Sequence, residues 1–185
     1  MEKAELIYNP VFVDDRGTFA PLPIRFNERT HEYLIKDWVQ SNISVNPRKH
    51  TLRGLHYQLE PYAQAKLVKV ITGSIIDFVV DLRINSETYS ETFIFKVNPN
   101  YEVYVPKGFA HGFITTEDNT VVQYLVDEKY SPSNERSMLW SSVSEIPRHL
   151  ENEIPNFDID SVLISPKDKV CQTFEEKINE NKFAG

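Results

Sequence analysis

The sequence predicts an all-β fold, an antiparallel sandwich or barrel, on three observations. Glycine is scarce, at 6 of 185 residues. Runs of β-branched and aromatic residues alternate with turn signals at short spacing, which is the pattern of strands folding back on one another and not of βαβ units. Aromatic residues make up 12% of the chain, with 11 Phe, 9 Tyr and 2 Trp, and these types favour the half-buried surface of a sheet.

The elements follow in order. Strands around Glu5 to Val13 and Tyr33 to Val45 read as an arm or outer sheet. Arg53 to Gln58 reads as a strand, with His56 and Gln58 on one face and Leu55 and Tyr57 on the other. Lys66 to Val70 and Ser74 to Leu82 flank Thr72-Gly73, a hairpin-like connection between two β-branched runs. Asp77, Val79 and Asp81 share a face of the second run, where an apolar core explains neither carboxylate. Thr92 to Asn98 turns at Pro99-Asn100 into Tyr101 to Val105, and Phe109 to Thr115 pairs with Thr120 to Val126 across Glu117-Asp118-Asn119. The expected arrangement is a meander of short strands. Beyond Ser131 the chain becomes loop-rich, and only Glu175 to Lys182 suggests a helix.

At 185 residues the chain suits one domain with a sizeable core, spanning residues 1–185 without repeat or linker. A net charge of −7 with no run of Lys and Arg argues against nucleic-acid binding, but leaves room for a small anionic ligand held by a few local cations. The single cysteine, Cys171, can form neither an intramolecular disulfide nor a thiolate metal cluster. Met1 to Glu5 lacks the basic-then-apolar pattern of a secretion signal, and no apolar run reaches membrane-spanning length. A soluble cytoplasmic protein without a membrane partner is expected.

The chemistry concentrates in Arg53-Gly54-Leu55-His56-Tyr57-Gln58 and Gln64-Ala65-Lys66-Leu67-Val68, which place a base, two cations and polar hydrogen-bonding groups on strands. Such groups suit a reaction beside a carbonyl. Taken singly, His56 could be a structural histidine, Lys66 a solvated lysine on a sheet surface, and Tyr124 and Tyr130 packing residues. Further motifs occur at compatible spacing: Asp14 to Phe19, Gln40 to Ser44, Gly73 to Arg83, Val105-Pro106-Lys107-Gly108-Phe109-Ala110-His111-Gly112-Phe113, Tyr124 with Tyr130, and Ser165-Pro166-Lys167-Asp168. Together, and in this order over most of the chain, they resemble the dTDP-4-dehydrorhamnose 3,5-epimerase family, metal-free enzymes of the cupin class.

The resemblance implies a jelly roll, or double-stranded β-helix, with N-terminal arm strands and a short helical tail. It also implies proton abstraction beside the C4 ketone of a nucleotide-linked 4-keto-6-deoxy sugar, with reprotonation on the opposite face and no cofactor. His56 is then the base, suited by an ordinary pKa of roughly 6.5, and Asp168 orients it. Lys66 stabilises the enolate, and Tyr124 is the acid. Arg16 and Arg53 match phosphate-binding arginines. Gln40, Asn42 and His111 match neighbouring polar contacts, Tyr130 the nucleotide end, and Asp77 and Lys167 further substrate contacts. Phe19 would cover the base from a partner subunit, so the resemblance implies a homodimer exchanging N-terminal arms.

The chain departs from the family pattern at three places. Pro21 stands where members commonly carry a glutamate, which leaves the nucleotide open. Asn46 to Thr51 is one residue longer than usual and lacks the usual glycine. A Trp-Pro pair expected ahead of the last motif is replaced near Asn156-Phe157-Asp158. A metal-dependent cupin is the rival enzyme class, but His56 is followed by Gln58 where a His-x-His pair is needed, so no metal is expected. An epimerase acting at C3 or C5 alone, and a sugar-nucleotide-binding protein without catalysis, also stay open.

Overall fold

The computed structural model describes residues 2–8, 12–14, 17–19, 26–27, 32–33 and 38–183. Two five-stranded antiparallel sheets form its body. The first contains β1 (Glu5–Tyr8), β6 (Gln40–Asn46), β8 (Lys66–Thr72), β11 (Tyr101–Val105) and β13 (Thr120–Val126), in the order β1-β11-β8-β13-β6. The second contains β7 (Leu52–Gln58), β9 (Ile75–Asp81), β10 (Thr92–Val97), β12 (Phe109–Thr115) and β14 (Glu135–Ser137), in the order β10-β9-β12-β7-β14. Short ribbons pair β2 (Phe12–Asp14) with β3 (Gly17–Phe19) and β4 (Phe26–Asn27) with β5 (Glu32–Tyr33). The sequence placed β7 to β13 within a residue or two, began the strand over β6 too early at Tyr33 and did not foresee β14, and the jelly-roll class holds.

Their pairing differs from a meander. β8 and β9, β10 and β11, and β12 and β13 are neighbours in sequence, yet each pair is split between the two sheets. The connections read as hairpin turns are corners of a sandwich, where the chain leaves one layer for the other. Gly73, at φ +79°, makes one such corner against Thr120, where a Cβ would fall 2.9 Å from the Thr120 Cα.

Each face of the second sheet has its own core, so all of β9 is buried. Val68, Val70, Ile75, Val79, Val103, Phe109, Phe113 and Val122 fill the space between the sheets. Ile76, Phe78, Val80, Leu52, Leu55 and Ile114 point the other way, onto Met138, Trp140, Val143, Ile146 and Leu150. Ile146 and Leu150 lie on α1 (Glu145–Glu153), a helix the sequence reading missed. Pro147 looks like a breaker, but in the first turn its missing N–H costs nothing, and the i, i+4 pair buries about 1.5–3 kcal/mol of side chain at each position. α2 (Pro166–Lys169) and α3 (Phe174–Phe183) follow, the latter close to the expected tail helix.

Asp81 belongs to this framework. Its carboxylate accepts from Arg83 Nε at 2.9 Å, Arg83 Nη2 at 2.7 Å and Thr88 Oγ1 at 2.7 Å, latching the loop between β9 and β10. Among the described residues no helix is long and apolar enough to cross a membrane.

Candidate active site

The mouth of the sandwich opens into a cavity of about 670 Å³, lined among others by Arg53, His56, Lys66, His111, Tyr124, Lys167 and Asp168. A second lobe of about 280 Å³ shares His56, Lys66 and Tyr124 and adds Gln40, Asn42, Tyr130 and Glu135. The three shared side chains therefore form the waist between the lobes.

β7 supplies two of the lining groups only because its ladder is irregular. His56 lies opposite His111 and Arg53 opposite Phe113, so three steps along β7 match two along β12. Strict alternation would send Arg53 and His56 to opposite faces; the extra residue brings both to the cavity. Gly54 makes this possible. At φ +113° it lies so close to β12 that a Cβ would sit 2.7 Å from both Gly112 Cα and the His111 carbonyl oxygen.

His56 Nε2 lies 2.7 Å from Asp168 Oδ1. Asp168 is presented by α2, whose N-cap, Ser165, accepts the Asp168 N–H on its hydroxyl at 3.1 Å, with Pro166 beginning the helix. Burial pushes the Asp168 carboxyl up, but the bond to His56 and the imidazole's charge outweigh it and hold the group below the usual range. With Nε2 engaged, Nδ1 is the nitrogen left to take a proton. His56 is 30% exposed on its side chain and Asp168 only 6%, so the imidazole faces the cavity while its orienter stays behind it.

Lys66 opens β8 and points inward, giving a hydrogen bond to the His56 carbonyl at 3.3 Å. Burial lowers its pKa to about 8, opposed by the charges of Asp77 and Glu135. Tyr124 lies on β13 with its phenol raised, chiefly by burial, and is neutral through the physiological range. Arg53 Nε donates to Asn46 Oδ1 at 2.9 Å, which fixes the guanidinium at the cavity wall. Gln40 donates to Asn42 at 2.6 Å, two residues along the same strand, β6.

Tyr130 and Lys167 meet on one acceptor. The Tyr130 hydroxyl donates to Glu135 Oε2 at 2.8 Å, and the Lys167 ammonium binds the same oxygen. Burial raises Glu135, but its bonds to Lys167 and Tyr130 win and hold it below the usual carboxylate range. Sequence reasoning missed Glu135, and it missed Asn46. The second was accessible: Gln40, Asn42, Ser44 and Asn46 are polar at every other position of one strand, a pattern that marks a polar inner face. Gln58 ties the loop that carries Tyr130, donating to the carbonyls of Tyr62 and Lys129 and accepting from the Ser131 N–H at 2.7 Å.

One residue expected at the substrate lies elsewhere. Asp77 is 0% exposed, does not line the cavity and accepts from His111 Nε2 at 2.8 Å. Its placement in the core follows from strand phase: Asp77 shares the inward face of β9 with Ile75 and Val79. Arg16 and Pro21 lie outside the described residues, and so does the side chain of Phe19. Among the described residues no three or more His, Cys, Asp and Glu side chains gather as metal ligands.

Chemically, the waist holds a base with an orienting carboxylate, a buried cation and a neutral phenol, which together can move protons at a carbon next to a carbonyl. Residues 1–176 match the family model described as dTDP-4-dehydrorhamnose 3,5-epimerase. The enzyme of that name from Shigella flexneri is 39% identical over 145 residues, covering 75% of this chain and 78% of its own. That from Methanothermobacter thermautotrophicus is 36% identical over 180 residues, covering 95% and 92%. Among solved structures, the Bacillus anthracis enzyme with TDP and PPi bound superposes with a TM-score of 0.75 at 35% identity, covering 92% of this chain and 94% of that one. The Legionella pneumophila dTDP-6-deoxy-D-glucose-3,5-epimerase in complex with dTDP-4-keto-L-rhamnose gives 0.75 at 29%, covering 93% and 88%.

Proposed function

Because the chain belongs to the dTDP-4-dehydrorhamnose 3,5-epimerase family of isomerases, we propose that it epimerises dTDP-4-dehydro-6-deoxy-D-glucose at C3 and C5, giving dTDP-4-dehydro-L-rhamnose. The observation that carries this reading is the His56–Asp168 pair at 2.7 Å, opening onto the cavity that also holds Lys66 and Tyr124. His56 takes the proton beside the C4 ketone, and Asp168 holds the ring and balances the imidazolium. Lys66 meets the oxygen as negative charge develops, which supplies about 3 kcal/mol of transition-state stabilisation. Tyr124 returns a proton from the other side of the sugar ring, and the enolate is consumed without any change of oxidation state.

Arg53, Gln40, Asn42, His111, Tyr130 and Lys167 hold the diphosphate, the sugar and the nucleotide in this reading, with Arg16 and Phe19 joining them on the strength of sequence alone. The dTDP-linked form is favoured by the nucleotides in the two related structures.

The same proposal includes a cytoplasmic homodimer. Ile43, Val45 and Ile71 stand exposed on the first sheet, an apolar patch suited to a second copy. A solution mass of a single chain would remove that part. The activity itself is tested by incubating the protein with dTDP-4-keto-6-deoxyglucose in deuterated water and following C3 and C5 by NMR. Deuterium at both carbons is expected. Label at one carbon reduces the activity to a mono-epimerase, and none at either overturns the reading.

A further inference from the structure

We propose that Asn46 is a positioning residue for diphosphate recognition: it holds Arg53 by Nε alone, so that the two Nη groups, with the full charge of the guanidinium, are left to the ligand. The inference rests on the reading of Arg53 as a diphosphate-binding residue. Asn46 itself is 0% exposed and does not line either lobe of the cavity, so it acts only through Arg53.

A carboxamide enclosed on the inner face of β6 has to be satisfied within the protein, and this one is bonded on every side. Nδ2 donates to the Thr120 carbonyl at 3.1 Å and to the Ser44 carbonyl at 3.3 Å. Oδ1 accepts from Ser44 Oγ at 3.1 Å and from Arg53 Nε at 2.9 Å. The two carbonyls facing Nδ2 fix which way round the amide stands, and with it the oxygen that meets Arg53. Thr120 is also opposite Asn46 in the ladder between β6 and β13, at the sheet corner made by Gly73. The acceptor offered to Arg53 is therefore held by the framework and stands in place before any ligand arrives.

Arg53 is exposed and lines the larger lobe, and the bond to Asn46 is its one side-chain hydrogen bond among the described residues. With Nε engaged, the edge that remains presents the Nη groups side by side, a fork that fits two oxygens of one phosphate. The neutrality of the acceptor matters as much as its place. Asp81 shows the contrast: its carboxylate takes both Nε and Nη2 of Arg83, at 2.9 and 2.7 Å, and makes that arginine a latch for a loop. An amide at position 46 fixes Nε equally well without neutralising the cation, so Arg53 keeps both its charge and its fork for an anion.

The test is a double-mutant cycle. Dissociation constants for dTDP are measured for the unaltered protein, Asn46→Ala, Arg53→Ala and the double variant, alongside kcat and KM from solvent-deuterium incorporation. Asn46→Ala should weaken dTDP about tenfold and raise KM to match, with kcat within twofold. In the Arg53→Ala background the same change should make less than about a twofold difference, because the group it orients is gone. Unaltered dTDP affinity in Asn46→Ala would overturn the proposal, and so would losses that multiply in the double variant, the sign of a general defect in the sandwich. Asn46→Ser, with a side chain one bond shorter, carries the same expectations should the alanine variant not be recovered folded. The readings fail separately. An unaltered protein that does not bind dTDP overturns the functional assignment and this inference with it, dTDP binding unmoved by Arg53→Ala removes the phosphate role of Arg53 and hence of Asn46, and a loss at Arg53 alone overturns only Asn46.

Discussion

Replacing Lys66 with Met should make the protein more stable and far less active, and the stability gain should disappear at high pH. The magnitude follows from the ammonium's burial. A lysine that titrates at 10.5 when solvated and at about 8 in the fold costs the native state about 3 kcal/mol wherever both states are protonated. The sign follows from proton counting. Between about pH 8 and 10.5 the unfolded chain binds a proton that the folded chain has released, so wild-type stability rises with pH across that window. Met is close in length and apolar, so the variant escapes the cost at pH 7. Asp77 and Glu135 lose a counter-charge in the same change, which makes about 3 kcal/mol an upper limit. Urea denaturation of both proteins at pH 7, 9 and 10.5 measures the difference, and deuterium exchange measures the activity, expected to fall over a hundredfold, or about 3 kcal/mol. A stability difference that stays constant with pH would refute the assignment of Lys66 as a buried, charged lysine.

Three further outcomes are expected. Asp168→Asn should lower the exchange rate by roughly 10²–10⁴-fold through loss of the imidazole's orienter; its stability deficit, full at pH 7, should vanish as the pH falls below about 4 and the depressed wild-type carboxyl takes up its proton. Tyr124→Phe should keep solvent exchange at the acidic carbon while inverted product falls, a separation that NMR of the recovered sugar detects directly. Gly54→Ala should lose at least 1–3 kcal/mol in urea melts together with most activity, because the new Cβ meets β12 backbone at 2.7 Å and the φ is one that alanine avoids.

Most of the groups proposed to react are legible in the amino-acid sequence. His56, Lys66, Tyr124 and Asp168 lie in short motifs whose residue types are tied to their chemistry, and the strands that carry the first three are marked by β-branched and aromatic runs. Pairing is not legible there, because Thr72-Gly73 and Glu117-Asp118-Asn119 serve equally as a hairpin turn or as a corner between sheets, and only the cores on both faces of β9 decide between them. Helix α1 is hidden by Pro147, which blocks a helix interior but not its first turn.

What this chain's sequence determines alone is local: which segments are extended, which side chains alternate, and which groups have the chemistry for proton transfer. What the tertiary structure decided is non-local. The irregular ladder at Gly54 put Arg53 and His56 on one wall, β9 carried Asp77 into the core behind His111, and α2 returned from more than a hundred residues away to place Asp168 against His56. Strand phase, burial and loop closure depend on partners far apart in the chain, and a one-residue change in register moves a side chain from the cavity to the opposite face.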